Sequence, residues 1–290
     1  MIRRLLVSFV AIVAALAAGI ALGGGPLSDI GRTPSRAAPP PEMPDVDPQA
    51  QARAAYGDAF AGSVAQGLYA GRLQRHPVVL LTLPGADPDV AEALTAEVQA
   101  AGTQVVATYG LKRALVDSGE KTLVDTLGLQ LAEQLGDEAV TADATTYDRI
   151  GQLIGKAVAA KSLSAGMEPA QLASLRASLR GAGLLAVPEG DPGVAPMVLV
   201  VTGTDVAQPV LSGVAAGLAA VARGVVVAGP TGDPSIAALR AEPPVRPVAT
   251  VDGTDTPAGR VATILTLVHA LASTGGSYGA SGSDGPVPLG

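Results

Sequence analysis

Three short stretches of this chain are continuously apolar: PVVLLTL (77–83), PMVLVVTG (196–203) and GVVVAG (224–229). A strand with one face in water alternates apolar and polar residues, whereas a strand covered on both faces does not. Each run is bounded by Pro or Gly and is too short for a buried helix, which needs at least about 10 residues. Such runs require a sheet with helices on both sides. TQVVATY (103–109) and PVATVDG (247–253) read as further strands. Helical patterns separate them, at 88–101, 111–161, 168–180, 208–222 and 257–272, with a short helix after Asp233-Pro234. In the last long one, Val261, Ile264, Leu265, Val268 and Leu271 form a single apolar stripe. In the long second one, Leu123, Leu127, Leu131 and Leu135 share a face. The alternation of strand and helix predicts an α/β fold: a three-layer domain with a mainly parallel sheet.

A different texture precedes this domain. Residues 5–22 form an apolar run of 18 residues broken only by Ser8 and Gly19, with Arg3 and Arg4 in front of it. As a helix the run would be about 27 Å long, close to the ~30 Å hydrocarbon core of a bilayer. The basic front end predicts a cytoplasmic N-terminus and an extracytoplasmic body. Small-x-small triplets such as Ala15-Leu16-Ala17 leave a cleaved signal peptide as the alternative to one N-terminal transmembrane helix. The expected organisation is an anchor or signal at 1–30, a Pro-rich spacer at 31–48 and a helical stalk at 49–75. The α/β domain follows at 76–275, and a flexible tail at 276–290. In the stalk, Tyr56, Phe60, Val64 and Leu68 recur at every fourth position, a stripe suited to docking on the body or pairing with a second copy.

Composition excludes several classes of function. There is no cysteine, hence no disulfide framework, thiolate metal site or cysteine nucleophile. The formal net charge of −7 argues against nucleic acid as a partner. With no Trp, two Phe and five Tyr, the chain lacks the aromatic girdles of a membrane barrel, and its strands do not alternate. No dinucleotide fingerprint, Walker A motif, G-x-S-x-G elbow or H-E-x-x-H motif occurs, so no catalytic residue, cofactor or metal ligand is assigned. His76 and His269 are the only histidines.

The loops that follow the strands are where an open α/β sheet binds ligands. They carry Asp87, Asp89, Asp205, Asp233, Asp252 and Asp255, and hard cations take oxygen ligands. Asp87-Pro88, Asp233-Pro234 and Thr256-Pro257, however, each place a helix N-cap before a proline at the first helical position, with Glu168-Pro169 a looser case. Capping accounts for those positions. It leaves Asp205, Asp252 and Asp255 as the exploratory strand-end site.

Three stretches together resemble a known family: AALAAGIALGGGPLSD (14–29), FAGSVAQGLYAGRLQRHPVVLLTLPGAD (60–87) and TVDGTDTPAGRVATILTLVHALASTGGSYG (250–279). They are similar to the actinobacterial MctB family, called copper transport proteins of the mycobacterial outer membrane. Relatives named SteB are described as envelope proteins that act in cell separation with a membrane partner. The resemblance implies one N-terminal membrane segment, a coiled-coil-like stretch, an α/β domain and a role in copper homeostasis or efflux. This chain departs from the pattern where the Pro-rich spacer replaces much of the helical stretch. Its residues also pull against the name. Copper(I) takes soft thiolate or thioether ligands and copper(II) favours imidazole. Beyond Met1 only Met43, Met167 and Met197 could offer sulfur, and no Met-x-Met or His-x-His pair exists. The expectation is an anchored, non-enzymatic envelope protein without copper ligands of its own. Its partners are the membrane, through residues 5–22, and an envelope protein or a second copy; the alternative is a scaffold for cell-separation proteins.

Overall fold

A computed structural model describes residues 47–136, 139–162, 166–204 and 206–288. The chain divides into a unit of Met1–Gln51 and a unit of Ala52–Gly290, and the fold below is that of the second. The expected membrane segment at 1–30 and the spacer up to residue 46 lie outside the described residues. Among the described residues no helix is long and apolar enough to cross a membrane.

Seven strands form one sheet: β1 (Val78–Thr82), β2 (Val105–Leu111), β3 (Leu185–Ala186), β4 (Met197–Val201), β5 (Gly224–Gly229), β6 (Ala249–Asp252) and β7 (Ser277–Gly279). Their order is β3-β2-β1-β4-β5-β6-β7. Every pairing is parallel except that of β3 with β2. The helices are α1 (Pro48–Tyr69), α2 (Pro88–Ala100), α3 (Arg113–Val116), α4 (Lys121–Leu135), α5 (Thr146–Val158), α6 (Pro169–Gly181), α7 (Gln208–Val221), α8 (Pro234–Ala241) and α9 (Pro257–His269).

The apolar runs are buried on both sides, and the period-2 pleat divides them between two cores. Val79, Leu81, Val198, Val200, Val225 and Val227 meet α3 to α8 through Leu115, Val124, Ile154, Leu179, Leu218 and Leu239. Val78, Leu80, Met197, Leu199, Val226 and Val251 meet α1, α2 and α9 through Tyr69, Leu94, Val98, Val261 and Ile264. The result is helix, sheet, helix. Burying a single Leu or Val of these strands contributes about 1.5–3 kcal/mol.

The expected caps form. The Asp87 side chain accepts from the Asp89 amide at 2.9 Å, Asp233 from the Ser235 amide at 2.7 Å and Thr256 from the Gly259 amide at 3.1 Å. Glu168 sits at an N-cap without a side-chain bond.

Several details differ from the expectation. The stretch 111–161 is not one helix. Asp117 caps a 3₁₀ turn at Ser118–Glu120, and Gly136, at φ 96°, ends α4 before α5 begins. A four-residue spacing overshoots the 3.6-residue turn, so the Leu stripe drifts around the helix. Leu131 is buried, and Leu123 is 44% exposed. On α1 the stripe read from the sequence is not the docked face: Ala65, Tyr69 and the following Leu73 are buried, while Tyr56 and Phe60 are 75% and 58% exposed. The segment assigned as a flexible tail, 276–290, instead supplies β7, with Tyr278 buried on the sheet.

Candidate functional site

The chain runs from β1 outward to β2, then returns to the other side of β1 at β4. Beyond the carboxyl ends of β1 and β4 the strand connections diverge, and such a switch point leaves a crevice. A cleft of about 390 Å³ lies there, lined by loops following β1, β4, β5 and β6.

Its base is built by close backbone approach. A Cβ on Gly203 would collide with the Pro84 carbonyl oxygen, and one on Gly85 with the Thr204 hydroxyl. Gly85 also has φ 81°, which glycine adopts without strain. The loop after β4 is tied to the loop after β5: Thr202 donates its hydroxyl to Asp233 Oδ2, while Asp233 Oδ1 takes the Ser235 amide. Asp233 is buried with both oxygens engaged, so it caps α8 and clamps two loops. The loop after β6 joins them through Asp255, whose Oδ1 accepts the Thr231 amide at 2.7 Å and the Thr231 hydroxyl at 2.9 Å. Thr254 lines the same cleft and is fully buried, and its hydroxyl has no hydrogen-bond partner among the described residues.

The two described exploratory residues, Asp252 and Asp255, do not line the same cleft. Asp255 stands at the rim of the cleft, and Asp205 lies outside the described residues. Asp252 is turned to another task. Arg240 Nη2 reaches its Oδ1 at 3.1 Å, and Ser281 donates its hydroxyl to Oδ2 at 2.7 Å and its amide to both oxygens at 3.1 Å. Arg240 also donates to the Tyr278 carbonyl at 2.6 Å and the Ser281 hydroxyl at 2.8 Å. Asp252 and Arg240 thereby fasten the C-terminal segment to the end of β6. Burial pushes the Asp252 carboxyl up, but the Ser281 and Arg240 hydrogen bonds outweigh it and hold the group below its ordinary range.

The sequence reading missed Thr202, Thr231 and Thr254. One signal was available: VTGTD (201–205) and VDGTD (251–255) end two strands with the same Gly-Thr-Asp triplet, and the structure carries both into the cleft wall as Gly203-Thr204 and Thr254-Asp255.

Soft donors do not converge among the described residues. Met197 is buried within β4 in the core, and Met167 packs against the opposite core. His76 precedes β1, and its pKa is lowered by burial and by Arg223 and Arg75. His269 ends α9 with its ring edge against Tyr278, centroids 5.8 Å apart. No group of three or more His, Asp or Glu among the described residues comes together to hold a metal ion.

No curated protein matches the chain. The family described as "Copper transport outer membrane protein, MctB" matches residues 1–288. This span takes in the N-terminal apolar run, the spacer, α1 and all seven strands, and the chain belongs to the MctB family of copper transport outer membrane proteins.

Proposed function

We propose that this protein is an anchored, non-catalytic component of copper homeostasis or efflux in the cell envelope, and that its α/β domain binds a partner rather than the metal. The family match over residues 1–288 carries the copper role. The donor chemistry shapes the rest. A copper relay needs clustered sulfur or imidazole, and the two described Met side chains pack in the cores instead. Residues 5–22 serve as the anchor, with the N-terminus cytoplasmic and the body outside. One helix encloses no path for an ion, so passage of copper falls to an oligomer or a partner. The family description names the outer membrane, whereas a cytoplasmic N-terminus puts the anchor in the inner one; density fractionation of the envelope separates the two.

A second reading is a scaffold for cell-separation proteins, favoured by the exposed Tyr56 and Phe60 of α1, which suit a protein contact. Deleting the gene distinguishes them. The copper role expects greater copper sensitivity and higher intracellular copper, restored by the full chain. Chaining or septal defects with normal copper tolerance would replace it with the scaffold.

A further inference from the structure

Helix α1 carries an apolar ridge that the α/β unit leaves uncovered. Six large apolar side chains are exposed among the described residues, and three of them, Tyr56, Phe60 and Leu68, lie on this helix. With Val64 they recur at every fourth position, and residues four apart line up as a ridge. From Tyr56 to Leu68 the single charged residue is Asp58, about 200° round the helix from Tyr56. A different side of α1, with Ala65 and Tyr69, is the one packed on the core. Beside the ridge runs a groove of about 280 Å³. Phe60, Val64 and Leu68 form one wall, and Val261 and Ala262 of α9 with Val287 form the other. Ridge and groove together make a contiguous apolar surface of the kind that marks a protein contact.

The path of the chain points to what covers it. Residues 23–47 separate the apolar run at 5–22 from α1 in every copy. Two copies anchored in one membrane hold the starts of their α1 helices on tethers of the same length, leading from the same surface. Like residues of the two helices then stand at the same height, in parallel. Sharing a membrane also raises the effective concentration of one copy near another, so a contact of one helix a side suffices. The ridge itself is uncharged, so like meets like across a two-fold axis without repulsion. Its spacing of four residues, unlike the 3.5-residue repeat of a coiled coil, suits two crossing helices packed ridge into groove.

We infer that the exposed ridge of α1 is covered by a second copy of this chain, in a parallel two-fold pair that brings Tyr56 and Phe60 of each copy against the same residues of the other. The pair is one form of the oligomer that copper passage calls for, and it rests on the anchor at residues 5–22.

The chain has no cysteine, so a disulfide forms only at an engineered position. In membranes of cells making the full-length protein, Tyr56→Cys and Phe60→Cys should each give a disulfide-linked dimer under mild oxidation. Gln66→Cys, exposed on the same helix and about 200° round from Val64, should stay monomeric. In detergent the wild type should sediment as a dimer. Tyr56→Asp with Phe60→Asp should raise its dissociation constant about 100-fold, since two large apolar side chains leave the contact. The far-UV circular dichroism of that variant should match wild type, because both residues are exposed in the single chain. Carbonate extraction reads the anchor separately. A chain released by alkali overturns the anchored reading, while links at Tyr56 and Phe60 would still uphold the pair. A chain that stays in the membrane without those links overturns the pair alone. A monomeric wild type, or equal linking at Gln66, overturns the inference. So do links that form only between Tyr56→Cys of one copy and Leu68→Cys of another, the mark of an antiparallel pair.

Discussion

Asp252, one of the exploratory strand-end residues, has both carboxylate oxygens engaged by Arg240 and Ser281. Its position at the end of a buried strand marks it from the sequence, because it is the one ionisable residue of β6. Its partners, Arg240 on α8 and Ser281 beyond β7, come from 12 and 29 residues away. No local pattern announces them. Asp252→Asn removes one charge of a buried pair and is expected to cost about 3 kcal/mol in urea unfolding at pH 7. The pH dependence carries a sign. The folded-state pKa lies below its unfolded value, so the stabilisation is full above the unfolded pKa, about 3.9, and is lost as pH falls through the folded value. Between pH 5 and pH 2.5 the wild type should therefore lose more stability than Asp252→Asn. Parallel acid-unfolding curves would show that the latch is not set by this carboxylate.

Secondary-structure elements were legible where they are long and buried, and lost where they are short or paired late. PVVLLTL, PMVLVVTG and GVVVAG became β1, β4 and β5 because burial on both faces selects an unbroken apolar run. β3 and β7, of two and three residues, are too short to carry a pattern and exist only because an edge is offered to them. The closest helix pair illustrates the same limit. α5 and α7 cross with Gly151 against the Val214 backbone and Gly217 against the backbone of Asp148 and Gln152. Glycine disfavours a helix by about 1 kcal/mol relative to Ala, and only the neighbouring helix explains its presence there. Gly217→Val should destabilise by about 3 kcal/mol in chemical denaturation, because a Cβ would overlap backbone that has no room to move. Gly57→Ala on α1, where a Cβ meets nothing, should instead stabilise the helix by up to about 1 kcal/mol. A stabilising Gly217→Val would mean that the helices are not in contact.

At the scale of the whole α/β unit, the C-terminal segment closes the sheet. β7 pairs with β6 through Thr250, Val251 and Asp252, and Tyr278 covers the core beside α9. A chain ending at Gly275 is expected to lose cooperativity and to melt at least 5 °C lower, since it strips a strand and leaves Arg240 and Asp252 without Ser281. An unchanged melting curve would return residues 276–288 to the status of a tail. By itself the sequence determined the class of the fold, the buried strands and the helix caps, because these follow from local burial patterns and the chemistry of a few neighbouring residues. Its resemblance to the MctB family, now matched over residues 1–288, was equally a property of linear order. The tertiary structure alone decided which acidic residues face one cleft, which one became a latch, and which face of α1 is covered. Those outcomes depend on strand order and on contacts between distant residues, and no one-dimensional pattern encodes either.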